Sequence, residues 1–264
     1  MPRSLRPRAR HRLVGRHAMQ NGAESGPIYL GTARDGLLSD PPPSPANDDA
    51  YKRLPAQPLR MNAGDFLDRI RDDNETALSR LGSSKALYAL TDGEMEGDAV
   101  LTAAADGAHA AAETLEEWAD ESAADAFGEA AAAERDHYET LAGKLDDYEA
   151  SGTAAIQVYL RGLDDDVARL GGLVGAALAE KKRATQMSGF FTGEADPQTA
   201  SLFRGYGSDL EGRWSEGLDA LDDTCESDDD WERAAEAASA AIQAAYDDYV
   251  EKLEAMGVNP KPVC

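Results

Sequence analysis

The chain has 264 residues, of which 50 are Asp or Glu and 26 are Lys or Arg, giving a net charge of −24 with 42% hydrophobic residues. So negative a field repels phosphate backbones and excludes direct nucleic-acid binding by the acidic part of the chain. No run of about 18 apolar residues offers a membrane span, and the start lacks the apolar core of a secretory leader, so the expected location is the cytoplasm.

The charge is unevenly spread. Residues 1–60 hold ten basic and five acidic side chains, which leaves 16 basic and 45 acidic ones to the other 204 residues. The Arg-rich MPRSLRPRARHRLVGR and the proline run DPPPSPAND carry no sustained hydrophobic period, so residues 1–60 are expected to be a disordered basic extension. It is either a basic arm or the product of a start codon placed upstream of Met61, where the acidic composition begins. The domain expected over 61–264 is rich in Ala, Asp and Glu and poor in Lys. Dense carboxylates keep a surface hydrated in a salt-rich, halophilic cytoplasm, and this composition fits one.

From Met61 onward the pattern predicts helix after helix. Phe66, Leu67, Ile70, Leu78 and Leu81 recur near helical spacing and stop at Gly82, and a short helix follows from Ser83 to Leu90. Thr91-x-x-Glu94 has the form of a capping box leading into a helix over about 94–119, and a turn at Asp120 to Ser122 leads into another over about 123–148. After Gly152 a short helical stretch reaches Gly162. Helices then follow over about 164–191 and about 197–222, joined by the GEADP turn. Ser227 and Asp228 to Asp230 open a last helix that runs to Gly257, beyond which Pro260 and Pro262 prevent continuation.

Strand-like alternation is absent from the sequence. The expected class is therefore all-α: two helical hairpins forming a four-helix bundle, core about 94–222, with additional helices at both ends. The Ala-rich faces predict close helix contacts and a homo-oligomer or protein partner. Trp118, Trp214 and Trp231 are expected to anchor packing. Lys181, Lys182 and Arg183 are expected on a solvated face. Cys225 and Cys264 are isolated and build neither a disulfide framework nor a thiolate site.

One constellation carries chemistry. On the 123–148 helix, Phe127, Ala130, Leu141, Leu145 and Tyr148 form an apolar stripe that also contains Glu134 and His137. A carboxylate and an imidazole three residues apart on a buried stripe are costly unless they pair or bind something. Such an E-x-x-H is the half-site of di-iron and di-manganese carboxylate bundles. Glu180 is a further inward candidate, in phase with Leu173, Ala177, Ala184, Met187 and Phe191.

The stretch ESAADAFGEAAAAERDHYETL and, more loosely, GEADPQTASLFRGYGSDLEGRW resemble the ferritin-like superfamily, rubrerythrin-type proteins in particular. That resemblance implies a redox or oxidative-stress protein with iron or another divalent metal held by Glu134, His137, Glu180 and, from a stripe edge, Glu211. The departures are specific. Glu134 and His137 follow Phe127 by seven and ten residues, whereas the same steps from Phe203 reach Leu210 and Arg213, so the second E-x-x-H is missing. The position that matches a ligand on the first bundle helix is Asp106, nearly opposite the stripe of Leu101, Ala105, Ala108, Leu115 and Trp118, with His109 a quarter-turn away from it. The expected centre is degenerate: it holds at most one ion, or Arg213 neutralises Glu134 or Glu211 and leaves it metal-free. The other function class is a non-enzymatic helical scaffold or regulatory protein, such as a transcription antitermination-type factor.

Overall fold

The computed structural model describes residues 61–122 and 125–261; the N-terminal extension expected over 1–60 and Cys264 lie outside the described residues. Among the described residues there are nine α-helices and no strand, and none of the helices is long and apolar enough to cross a membrane.

Three short helices come first: α1 (Ala63–Asp73), α2 (Glu75–Leu81) and α3 (Ser84–Leu90). The Asn62 side chain caps α1 by accepting from the amides of Gly64 and Asp65. The sequence pattern runs unbroken through Asn74, but the structure bends there. The buried Asn74 amide donates to the Ile70 carbonyl at 2.9 Å and to Ser239 Oγ at 3.0 Å, which ties the bend to the last helix.

Next come α4 (Gly97–Glu121) and α5 (Asp125–Ala142), packed as the first hairpin. Helix α4 starts and ends two or three residues later than its pattern predicts, and α5 is shorter. Thr91 does not cap α4 but ends α3 as its C-cap; its hydroxyl donates back to the Leu87 carbonyl at 3.1 Å, and Asp92 and Gly93 take positive φ values of 50° and 90°, which turn the chain before α4 can start. At the far end α5 stops at Ala142, although Leu145 and Tyr148 still pack on the core from the following turn.

The crossover contains α6 (Ala155–Leu160), and the second hairpin is α7 (Asp166–Gly193) with α8 (Pro197–Thr224). Asp196 caps α8 by accepting from the Gln198 and Thr199 amides, with Pro197 in the first turn. The last helix, α9 (Asp228–Ala255), begins with a complete capping box of Ser227 and Asp230.

The C-terminal helix is more than an appendage to the hairpins, because α9 lies along α7 over much of its length. Small residues allow the approach. Cβ atoms built on Gly171 and Gly175 would stand 2.8 Å from the Cα atoms of Ala234 and Ala238 respectively, so the two backbones meet nearly directly. Helix α7 is thus the central helix, flanked by α8 and α9. Trp118, Phe127, Leu170 and Ile242 belong to the larger apolar cluster; Val100, Leu141, Phe191 and Phe203 belong to a second.

Candidate functional site

A third, small cluster of Ala177, Ala184 and Leu210, with Tyr206 and Trp214 against it, marks the stretch of α7 and α8 where the polar centre lies. The stripe of α5 carries Glu134 inward, where it is 1% exposed. On α8 the same logic applies: Phe203, Leu210 and Arg213 recur at helical spacing and all three are buried, so the guanidinium has no route to solvent except through a partner. That partner is Glu134. Arg213 Nη1 and the Tyr206 hydroxyl both donate to Glu134 Oε1, the latter at 2.9 Å. Glu134 Oε2 and Arg213 Nε are buried and make no hydrogen bond.

The electrostatics follow from burial. Burial works to lower the Arg213 pKa, but the charge of Glu134 and the Tyr206 oxygen hold it above the ordinary value, so the guanidinium stays charged. Burial, reinforced by Glu134, drives the Tyr206 phenol well above its usual value and keeps it a donor. His137 stacks on Tyr206 with ring centroids 3.7 Å apart and an angle of 6° between planes. Its Nε2 has no hydrogen-bond partner. Burial first, and then the charge of Arg213, lower the His137 pKa to about 4 against a small opposing pull from Asp209, so its imidazole is neutral at ordinary pH.

That shift has a stability consequence with a definite sign. Because the folded pKa lies below the unfolded value of about 6.5, only the unfolded chain takes up the proton as pH falls from about 6.5 to about 4. His137 should therefore leave stability unchanged above pH ~6.5 and remove about 3 kcal/mol by pH ~4. Urea melts of wild type and His137→Asn across this range should diverge in slope, with the variant flatter; parallel curves would show that the imidazole titrates normally.

Glu134, His137 and Glu180 are brought to one region, and Glu211 is not. Glu180 sits half-buried on α7, and its Oε1 accepts from Arg183 Nη1 at 2.7 Å. Glu211 is exposed and pairs with Lys181 Nζ at 2.7 Å, while the same ammonium donates to the Gly207 carbonyl at 2.8 Å. Its place on the stripe edge turns it outward, away from Glu134. Arg183 departs from the solvated face expected of it: it is buried and faces inward, while Lys182 alone of that basic triplet is exposed. Asp106 lies off the centre as its phase predicts. It accepts from the Tyr148 hydroxyl at 2.7 Å and the Ser151 amide at 2.9 Å, tying the crossover to α4.

Among the described residues no three His, Cys, Asp or Glu side chains are grouped as metal ligands are. Arg213 occupies the position from which the second half-site would reach in, and a divalent ion about 4 Å from its charge would meet roughly 8 kcal/mol of repulsion at an effective dielectric of 20.

Beside the ion pair opens a cleft of about 360 Å³, lined by His137, Gln157, Glu180, Arg183 and Tyr206 against small residues of α4. Gln157 is 5% exposed, and its Oε1 makes no hydrogen bond. Sequence reasoning missed Tyr206, Arg183 and Gln157 as site residues. Tyr206 had a signal, standing three residues after Phe203 and seven before Arg213 on one stripe; Gln157 had none, because the six residues of α6 are too few to show a period. Comparison of the chain with protein-family models, with curated proteins and with solved structures finds no match.

Proposed function

We propose that this chain is a metal-free relative of the ferritin-like, rubrerythrin-type bundles in which an internal ion pair has taken the place of the metal centre, and that it binds a small molecule in the adjoining cleft. The observation that carries this is the donation of Arg213 to Glu134: a buried guanidinium holds the carboxylate that a metal would need. What the chain retains is a cleft of about 360 Å³, within the range of small-molecule sites, with a few polar groups set among small apolar ones.

Elemental analysis of the full-length protein, followed by titration with Fe²⁺ and Co²⁺, tests the first half. Metal well below one ion per chain and no ligand-field bands with Co²⁺ are expected. An ion retained at one per chain, and lost in both Glu134→Gln and His137→Asn, would replace this reading with a single-metal site.

A further inference from the structure

The cleft holds polar groups that nothing in the protein satisfies, and their chemistry selects a ligand. Gln157 Oε1 is a buried acceptor without a donor. His137 Nε2 is likewise buried and unpartnered, and a neutral imidazole presents a lone pair on one ring nitrogen. A buried polar atom left unpaired costs about 1–3 kcal/mol, so two in one cleft are poised for an incoming partner. Glu180 lines the same cleft.

Charge decides between donors. The lining contains four carboxylates, Asp92, Asp106, Glu180 and Asp248, against the cations Arg183 and Lys252. Arg183 pairs with Glu180, and Lys252 pairs with Asp248 at 3.3 Å. Among the described residues Asp92 and Asp106 have no cationic partner, so the cleft carries an excess of negative charge that favours a cation and repels an anion. Along α4 the wall is Ala104, Gly107, Ala108 and Ala111, and Met187 faces it from α7, a surface suited to a short aliphatic body.

Resting on the reading of the cleft as a ligand site, we propose that it binds a small primary amine. Its ammonium group donates to Gln157 Oε1, His137 Nε2 and the Glu180 carboxylate, and its aliphatic chain lies along the alanines of α4. An ammonium group has three donors and no acceptor, matching three acceptors in number and kind. A carboxylate ligand would leave those acceptors unsatisfied, and an alcohol would satisfy at most some of them.

Calorimetric titration of the full-length protein with 1-aminobutane, 1-butanol and butyrate tests the assignment. The amine should bind at one per chain, more weakly as potassium chloride is added, and both other probes should give no saturable heat. Gln157→Met and Glu180→Gln, each checked for an unchanged helical melt, should weaken amine binding about tenfold or more. Saturable binding of butanol or butyrate in place of the amine, lost in Gln157→Met, would overturn the cationic assignment while leaving a ligand cleft. Failure of all three probes would overturn both the assignment and the cleft's role. Amine binding unaffected by either substitution would place the amine elsewhere and overturn the site.

Discussion

Removing either member of the Glu134–Arg213 pair should cost about 3–5 kcal/mol, because each single change leaves the other charge buried without compensation. Glu134→Gln leaves a guanidinium that is 7% exposed facing a neutral amide; Arg213→Met leaves a carboxylate that is 1% exposed with only the Tyr206 hydroxyl as donor. In thermal melts the losses correspond to roughly 6–20 °C for a domain of this size. Glu134→Met combined with Arg213→Met should recover most of either loss, since apolar side chains of similar volume replace two ions that both had to be dehydrated. Urea unfolding of the wild type, Glu134→Met, Arg213→Met and the double variant gives the coupling directly. Singles that cost less than about 1 kcal/mol, or a double that costs the sum of the two, would mean that the ions are not held against each other.

The second large effect is expected at the crossing of α7 and α9. Gly171→Ala and Gly175→Ala each place a methyl group 2.8 Å from the Cα and carbonyl carbon of a facing alanine, and backbone atoms cannot swing aside as a long side chain can. Alanine gains about 1 kcal/mol of helix propensity over glycine. Overpacking nevertheless wins, and a net loss of about 2 kcal/mol per substitution is expected. The double substitution should separate α9 from α7, visible as early hydrogen exchange of the α9 amides ahead of global unfolding. Gly189→Ala on the same helix is the control, because a methyl there meets nothing within 4 Å and the site is exposed; it should stabilise by about 0.5–1 kcal/mol. If Gly171→Ala behaves like Gly189→Ala, the two helices do not touch as closely as their backbones suggest.

The sequence by itself determined whatever depends on helical phase. Period, caps and stop residues act within a few positions of one another, so the all-helical class, the two hairpins and the starts of α8 and α9 at Asp196 and Ser227 were legible before any packing was known. The inward aim of Glu134 followed from the same stripe. Phase could not name a partner. Arg213 stands 79 residues from Glu134, and which carboxylate it reaches depends on the relative height of α5 and α8, a property of the two hairpins together. Phase alone kept Glu211 at a stripe edge, and only the position of Lys181 across the groove turned it to solvent. Helix ends moved as well: the chain turns at Asp92 and Gly93, both at positive φ, and α5 stops at Ala142 although Leu145 and Tyr148 still pack on the core. The path of α9 along α7 depended on two glycines whose missing side chains matter only when another backbone is opposite. The cleft is the most tertiary feature of all, since its unsatisfied atoms come from α5 and α6 and its walls from α4 and α7, and a polar atom is unsatisfied only with respect to everything packed around it.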